Sequence, residues 1–324
     1  MPKSLSVILP VYNVEEYIRE CLESIFRQGL SDTEFEVIMV NDGTPDNSIG
    51  VISDIVNQHN NIIILNQENK GVSYARNTGL SKAQGEYVYF VDPDDLLLDN
   101  SLSVLLPKLV STKVDVLMAQ FVKFSDGEDV EDYSHVSFRT GYEKLKTGID
   151  AFVEDLSPYE CYIWRMLFRR NFLITKGIKF KPFRYEDTLY CQESLLKAKN
   201  CMIVDNLIYA YRLRKGSFTS SMNFKGMRDL NSSMAAISQL KMIEGLPKIA
   251  CARLMDNLFA SFSLGLWCVA HNKSLYAEKE AIVEDLKSKV DPSVFLFKSN
   301  LKQRFVSYMF WHAPSLYLKI RSLI

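Results

Sequence analysis

The stretch Gly85-Glu86-Tyr87-Val88-Tyr89-Phe90-Val91-Asp92-Pro93-Asp94-Asp95 joins a short apolar run directly to three carboxylates within four positions. Such an apolar run is typical of a strand that is buried on both faces of a sheet. Carboxylates this close repel one another unless a cation or a basic group compensates them. A hard divalent cation such as Mg²⁺ or Mn²⁺ suits these oxygen ligands. The alternative is a plain strand-to-helix turn, stiffened by Pro93 and capped by Asp95.

Strand and helix patterns alternate on the N-terminal side of this stretch. Apolar runs predict buried strands over residues 5–11, 35–40, 62–65 and 87–91. Amphipathic or capped segments predict helices over residues 15–28, 44–58 and 71–83. The alternation predicts an α/β fold with an open, mostly parallel central sheet and helices on both faces.

Polar residues follow three of these predicted strands. Tyr12 and Asn13 follow the first strand, Asn41-Asp42-Gly43 follows the second, and Asp92 begins the acidic cluster after the fourth. Open parallel sheets bind ligands at the carboxyl ends of their strands, so we expect these groups to share one rim. Taken alone, Asn41-Asp42-Gly43 is equally good turn chemistry.

The segment Asn69-Lys70-Gly71-Val72-Ser73-Tyr74-Ala75-Arg76-Asn77 opens the third predicted helix with a glycine and two nearby cations. The start of a helix favours an anion, so this segment is a candidate phosphate site. The alternative is an ordinary capped helix in which Arg76 forms an ion pair. No Walker lysine pattern and no G-x-G-x-x-G occurs in the sequence, so neither a P-loop nor a dinucleotide fold is predicted.

Beyond the acidic cluster the patterns become more varied. Residues 102–123 predict a helix and an edge strand, residues 125–135 a solvated loop or hairpin, and residues 143–223 helices mixed with short strands. From residue 224 onward the apolar spacing predicts helices. We therefore predict a catalytic domain over residues 1–223 and a helical C-terminal region over residues 224–324.

The bulk composition narrows the class of protein. The 324-residue chain carries 38 Lys and Arg against 39 Asp and Glu, so no global charge favours nucleic acid and no nucleic-acid partner is expected. Its six cysteines form no C-x-x-C pair, which is typical of reduced core thiols in the cytoplasm. Residues 1–4 run straight into the first strand and no window holds about 18 uninterrupted apolar residues, so neither a signal peptide nor a spanning helix is expected.

Four segments in register resemble the inverting glycosyltransferase family 2 of bacterial cell-surface polysaccharide synthesis. They are residues 6–13, 36–43, 69–79 and 85–95, and the resemblance covers about the first two-thirds of the chain. It implies the GT-A fold, which is Rossmann-like, followed here by the helical C-terminal region. The last hundred residues match no pattern of the family.

The resemblance implies a nucleotide-sugar donor, with UDP as the expected nucleotide, and Mn²⁺ or Mg²⁺ as cofactor. Asp94 of the D-x-D motif is implied to ligate the metal directly, and Asp92 to contact the ribose or the metal. The remaining residues assigned to the donor are Pro10, Val11 and Tyr12 in the base pocket, Asp42 at the uracil edge, Arg76 at the base or ribose, and Lys70 as a helper.

The acceptor side of the resemblance lies downstream. Glu186 and Asp187 stand at a predicted helix start, where acidic pairs also occur merely because they suit the helix dipole. The resemblance implies that Asp187 is the general base, with Glu186 orienting the acceptor or a neighbouring cation. Residues 161–170 resemble the preceding family segment, although Met166 replaces a frequent lysine there. Trp164 in this segment is either a sugar-stacking residue or a core tryptophan.

Residues 211–219 form a basic segment that contains a glycine. It resembles the flexible family segment that closes over the donor diphosphate and stabilises its departure. Arg212 and Ser217 are the candidate residues there. The alternative is a solvated basic loop.

The predicted function is therefore a metal-dependent, inverting hexosyltransferase that uses a nucleotide-sugar to glycosylate a hydroxyl of a glycan or lipid-linked acceptor. A sugar nucleotidyltransferase would need a basic, Gly-rich loop after the first strand, whereas residues 10–16 are acidic. A non-catalytic glycan-assembly scaffold is the other alternative. The C-terminal region is a candidate for acceptor binding, homodimer contact or peripheral membrane contact at the inner face of the membrane. Residues 301–324 mix aromatic and basic side chains, which suits either a membrane-surface helix or a packed helical cap.

Overall fold

The computed structural model describes residues 3–127, 143–214, 222–291 and 301–322, with side chains in the last range described from residue 304. The chain divides into two compact units. The first comprises Met1–Ala151, Tyr162–Pro182 and Lys197–Lys215, and the second comprises Phe152–Cys161, Phe183–Leu196 and Gly216–Ile324. The second unit thus includes two segments that precede residue 224, and the functional boundary between residues 223 and 224 stays a prediction.

In the first unit a nine-stranded sheet runs through the described residues. Its strands are β1 (Leu5–Val11), β2 (Phe35–Asn41), β3 (Ile62–Asn66), β4 (Tyr87–Phe90), β5 (Leu96–Leu97), β6 (Val116–Ser125), β7 (Glu143–Lys146), β8 (Met166–Arg169) and β9 (Cys201–Leu213). They lie in the order β3-β2-β1-β4-β8-β6-β9-β5, and β7 also pairs with β9. β1 is parallel to β2 and β4, and β2 to β3, whereas β8 is antiparallel to both neighbours. The predicted α/β class is confirmed.

Helices connect these strands. They are α1 (Ile18–Phe26), α2 (Ser53–Gln58), α3 (Val72–Lys82), α4 (Ser101–Thr112), α5 (Gly148–Glu154) and α6 (Arg170–Thr175). Every residue of β1 is buried, which explains its continuous apolar run. A Cβ atom on Gly79 would lie 2.5 Å from a methyl carbon of Ile8, so glycine lets α3 approach the sheet closely.

Three predicted elements are wrong in detail. The helix predicted over residues 44–58 is mostly loop, with a 3₁₀ turn at Gly50–Ile52 before α2. Thr44 N–H donates to the Asn41 side chain and Ser48 N–H to Asp46, and such local bonds compete with helix formation. β6 lies inside the sheet between β8 and β9, not at its edge, and β9 is a long strand of 13 residues.

The second unit is helical, as predicted for the C-terminal region. Its helices are α7 (Glu186–Lys197), α8 (Phe224–Gln239), α9 (Lys248–His271), α10 (Lys273–Ala277), α11 (Lys279–Lys289), α12 (Leu301–His312) and α13 (Pro314–Arg321). Buried residues recur every four positions along α9 and form one apolar face. The ring of Phe262 on that face meets the ring of Phe310 edge to face at 5.0 Å.

Helix α9 is also the one helix in the described ranges that is long and apolar enough to cross a membrane. Of its most apolar window, 39% is buried inside the chain. Core helices of water-soluble proteins meet the same criteria of length and composition, so a single helix of this kind carries little weight. The expectation that no segment spans a membrane stays a prediction.

Candidate functional site

The carboxyl ends of β2, β1 and β4 lie side by side at one edge of the sheet. Asp42 N–H donates to the Val11 carbonyl at 3.0 Å, and Val91 N–H donates to the Ile8 carbonyl at 3.0 Å. These hydrogen bonds extend the parallel pairing of β1 with β2 and with β4 to the first residues of the loops that follow β2 and β4. The polar segments after the three strands therefore share one rim, which is where open α/β sheets bind ligands.

The loop after β1 presents Tyr12 to solvent. Pro10 and Val11 are buried at the end of the strand, whereas Tyr12 is 46% exposed. The backbone N–H groups of the next residues, Asn13 and Val14, donate to Thr44 Oγ1 and Ser48 Oγ at 2.8 and 3.1 Å; that of Glu15 donates to Asp46 Oδ2 at 2.9 Å. The loop after β2 thus holds the loop that carries Tyr12.

Asp46 is the centre of that connection. Burial acts to raise the pKa of Asp46, but hydrogen bonds from Ser48, Thr44 and two backbone N–H groups outweigh it and lower the pKa to about 2. The Ser48 hydroxyl donates to Asp46 at 2.6 Å. The ionised carboxylate is therefore part of the folded loop at neutral pH. Neither the turn propensity nor the predicted helix start revealed this role.

Asp42 is buried and engaged by the chain itself. Its Oδ1 accepts from Gln67 Nε2 at 2.7 Å and from the Lys70 backbone N–H at 2.9 Å, and its Oδ2 accepts from the Gly71 N–H at 2.8 Å. Gly71 adopts a φ of 92°, which favours glycine. Asp42 therefore fixes the start of α3, while the Lys70 side chain stays exposed.

Arg76 and Asp92 form a partly buried ion pair. Arg76 Nη2 donates to Asp92 Oδ1 at 2.7 Å, and the Arg76 side chain is only 3% exposed. The guanidinium also lies 5.1 Å from the centre of the Phe180 ring. The structure thus brings two of the predicted donor residues together and makes Arg76 a support for Asp92.

Asp94 is paired with Arg214, which the sequence prediction missed. Arg214 Nε lies 2.8 Å from Asp94 Oδ2, and both side chains are about three-quarters buried. Burial and the neighbouring Asp92 raise the pKa of Asp94, and Arg214 opposes this shift. One feature of the sequence could have indicated Arg214. It stands two residues after Arg212, and alternate residues of an extended segment share a face.

Asp95 anchors the acidic turn to β9. It is buried, and its two oxygens accept from the Tyr209 hydroxyl and the Arg212 N–H, each at 2.8 Å. The Tyr209 oxygen also accepts from the Asp92 N–H at 3.2 Å. Burial and the charges of Asp94 and Asp92 raise the pKa of Asp95 well above its usual range. Asp95 and Tyr209 therefore shape the turn.

Arg212 braces the same turn from its other side. Its Nε donates to the Asp94 carbonyl at 2.9 Å, and its two Nη atoms pair with Glu20 at 2.6 Å and Asp126 at 3.2 Å. The guanidinium lies 4.6 Å from the centre of the Phe124 ring. These contacts favour an indirect role for Arg212, through the turn that carries Asp94.

The acidic turn fits a divalent cation that is bound together with phosphate. The ion pairs engage Asp92 through Oδ1 and Asp94 through Oδ2. Over those residues, no group of three or more His, Cys, Asp or Glu is arranged to hold a metal. Mg²⁺ keeps water and substrate oxygens in its coordination shell and needs only one or two carboxylates from the protein. The chain offers that number.

Glu186 and Asp187 occupy the first turn of α7 in the second unit. Both are half-buried, and the residue before them, Tyr185, has a φ of 64°. Gln192 Nε2 donates to the Thr188 carbonyl in the first turn at 3.0 Å. Glu186 and Asp187 thus lie at the positive end of the helix dipole.

Two further predictions concern the first unit. Trp164 is 2% exposed and lies among other rings, so it is a core residue and not a sugar-stacking residue. Met166, which stands where the family often has a lysine, is buried in β8. Ser217 lies outside the described residues.

Comparison with known proteins assigns the chain to one family. The model of Glycosyl transferase family 2 matches residues 6–174, just over half of the chain. Glycosyltransferase GlyA of Streptococcus pneumoniae serotype 4 is 32% identical over 71% of this chain and 34% of its own length. The uncharacterized glycosyltransferase EpsJ of Bacillus subtilis is 32% identical over 66% of this chain and 62% of its own length. The chain thus spans less than two-thirds of either relative.

A solved structure shows the same fold along nearly the whole chain. The crystal structure of Staphylococcus aureus TarS 1-349 in complex with UDP-GlcNAc superposes with a TM-score of 0.81. The superposition covers 99% of this chain and 90% of that chain, at 23% sequence identity. Because the sequence identity is low, the similarity to TarS concerns the fold of the chain.

Proposed function

Because the chain belongs to glycosyl transferase family 2, we propose that it transfers a sugar from a UDP-sugar to a hydroxyl of a glycan or lipid-linked acceptor, with inversion at the anomeric carbon. The observation that carries this proposal is the acidic turn at the carboxyl edge of the sheet. Arg76 and Arg214 pair with its carboxylates through Asp92 Oδ1 and Asp94 Oδ2, and Tyr209 holds its backbone at the Asp92 N–H.

The donor would lie along the shared rim. Tyr12, which follows the buried Pro10 and Val11, would contact the base. Asp42 would recognise the edge of the uracil ring, and it would do so by fixing the loop at Lys70 and Gly71. The UDP-GlcNAc bound by TarS supports UDP as the nucleotide. Asp94 and Asp92 would hold Mn²⁺ or Mg²⁺, which would neutralise negative charge on the departing diphosphate.

Basic residues would stabilise the leaving group from the protein side. Arg214 is the candidate for direct contact, because its guanidinium lies at Asp94 and stays partly exposed. Arg212 would act through the turn, and the predicted roles of Lys70, Arg76 and Ser217 at the donor remain part of the proposal. Fixed positive charge at a developing anion lowers the barrier, since the groups are already oriented.

Asp187 would act as the general base on the acceptor hydroxyl. As the acceptor oxygen bonds to the anomeric carbon, the bond from that carbon to the diphosphate oxygen breaks, and the hydroxyl proton passes to Asp187. No covalent enzyme intermediate forms, so a single displacement inverts the configuration. Glu186 would orient the acceptor or a nearby cation.

The setting of the reaction is proposed as surface-polysaccharide synthesis in the cytoplasm, at the inner face of the membrane. Exposed Trp267, Phe305 and Tyr308, together with the basic residues of 301–324, support a peripheral membrane contact. A homodimer contact through the same helices is the alternative. Flotation of the full chain with anionic and with neutral vesicles would separate them, because lipid charge affects only the first.

The test of the proposed reaction uses water as the acceptor. The chain is incubated with α-linked UDP-glucose, UDP-galactose and UDP-N-acetylglucosamine, and proton NMR follows the first sugar released. Release of the β-anomer supports inversion, whereas release of the α-anomer would overturn it. Asp187→Asn should abolish release while donor affinity stays within about twofold. The matched control is Glu244→Gln at an exposed carboxylate of the same unit, which should leave release unchanged.

A further inference from the structure

Parallel aromatic rings form a continuous column in the first unit, which we call the aromatic stack. Tyr162 lies 4.6 Å from Trp164 at an interplanar angle of 7°, and Tyr209 lies 4.3 Å from Trp164 at 3°. Two parallel rings at these distances occupy the two faces of the indole. Tyr211 packs beside them, 5.9 Å from Tyr162 and 5.4 Å from Trp164, and Phe121 meets Trp164 edge to face at 4.9 Å.

The inner end of the aromatic stack touches the acidic turn. The Tyr209 hydroxyl donates to Asp95 at 2.8 Å and accepts from the Asp92 N–H at 3.2 Å. Tyr209 is fully buried and Trp164 is 2% exposed, so these two rings are part of the core. The stack therefore begins at the proposed site of the donor diphosphate.

The outer end of the aromatic stack reaches solvent. Tyr162, Tyr211 and Phe121 are each partly exposed, in contrast to the two inner rings. In the β6–β9 pairing Phe121 lies opposite Tyr209 and the exposed Lys123 opposite Tyr211, so all four residues lie on one face of the sheet. The burial thus falls steadily from the acidic turn outward, over two ring spacings.

We propose that Tyr162 and Tyr211 form a platform on which a sugar ring of the acceptor stacks, with Phe121, whose ring plane lies at 81° to that of Tyr162, at its side; this inference rests on the proposed function. An acceptor hydroxyl has to reach the anomeric carbon next to the diphosphate at the acidic turn. The platform starts two ring spacings from Tyr209, the residue that touches this turn. A carbohydrate bound there extends from the reacting centre.

The chemistry of the platform suits a neutral pyranose. One face of a pyranose carries mainly carbon-bound hydrogens, which pack against an aromatic face, while its hydroxyls point outward. The outer rings include two tyrosines, whose bodies are apolar and whose hydroxyls are polar, and such residues are enriched where one side of a contact is apolar and the other wet.

The test compares binding of simple sugars to the full chain and to variants. Saturation-transfer NMR is recorded with the methyl β-glycosides of glucose, galactose and N-acetylglucosamine. We expect a signal from wild type on the carbon-bound protons, a loss of about tenfold in Tyr162→Ala, and retention in Tyr162→Phe, because the ring and not the hydroxyl makes the contact. Tyr159→Ala is the matched control, since it removes a 72% exposed tyrosine of the second unit.

Equal signals from wild type and Tyr162→Ala would overturn the platform, and so would the absence of any signal from wild type. Tyr211→Ala provides the second variant if Tyr162→Ala fails to fold, which its melting curve reports. UDP release from the three UDP-sugars is measured in parallel with wild type. Release without sugar binding contradicts only the platform, whereas sugar binding without release contradicts the proposed function.

Discussion

Arg212 and Arg214 lie two residues apart, yet their side chains have different roles in the structure. The guanidinium of Arg212 is buried against the acidic turn, whereas that of Arg214 pairs with Asp94 and remains 22% exposed. Replacing each by methionine keeps much of the side-chain volume and removes the charge. The pair therefore separates support of the fold from contact with the donor.

The expected cost of Arg212→Met follows from its contacts. The lost hydrogen bond to the Asp94 carbonyl is worth about 1 kcal/mol. The ion pairs with Glu20 and Asp126 are worth about 0.5 kcal/mol each, because those carboxylates are 52% and 47% exposed. The stacking on Phe124 adds about 0.5–1 kcal/mol. The sum of roughly 2.5–3 kcal/mol lowers the melting temperature by about 5–12 °C.

Arg214→Met should show the reverse pattern. Its loss should lower the melting temperature by no more than about 3 °C, since a partly exposed ion pair contributes up to about 1 kcal/mol. A charge-assisted hydrogen bond to a phosphate is worth about 1.5–3 kcal/mol, so kcat/KM for the UDP-sugar should fall about 10–100-fold. Differential scanning fluorimetry and UDP release measure both effects. Arg212→Met melting like wild type, or Arg214→Met retaining kcat/KM within twofold, would refute the division of roles.

Two other residues around the rim give independent predictions. Asp46 has a pKa lowered to about 2, so it stabilises the fold above the unfolded value of about 3.9, and that contribution disappears as the pH falls through 2. Urea unfolding should find Asp46→Asn less stable than wild type by about 1–2 kcal/mol at pH 6 and equally stable near pH 2; a difference that persists at pH 2 contradicts this. Tyr209→Phe leaves Asp95 Oδ2 and the Asp92 N–H without their hydrogen-bond partner, so it should cost about 1–3 kcal/mol in urea unfolding. A cost below 0.5 kcal/mol, which is typical of surface substitutions, would contradict the role of Tyr209 in shaping the acidic turn.

The sequence predicted the parallel half of the fold well, because its strands are buried on both faces. The run 5–11 coincides with β1, and the polar residues after β1, β2 and β4 meet at one rim. Patterns of this kind depend on neighbours along the chain. Prediction was weakest where side chains compete with the backbone, as in the loop around Asp46, which was predicted to be helical.

The site was predictable in its carboxylates but not in their partners. Asp92 and Asp94 are evident from their spacing, whereas Arg214 and Tyr209 reach them from β9 and the residue after it, more than a hundred positions away. Only the pairing of β9 with β5 and β6 determines which of its residues face the turn. Local sequence patterns do not indicate which distant strands pair with each other.

The central claim is that the acidic turn holds the diphosphate of a UDP-sugar for transfer. UDP release from the three UDP-sugars is measured with Mn²⁺, with Mg²⁺ and with a chelator, for wild type and Asp94→Asn. Asp99→Asn is the matched control, because it lies in an exposed ion pair with Arg27. We expect release of UDP from at least one UDP-sugar that the chelator stops and that Asp94→Asn lacks, while Asp99→Asn keeps it. Release by Asp94→Asn at the wild-type rate, or no release by wild type under any condition, would contradict the proposed role of the acidic turn.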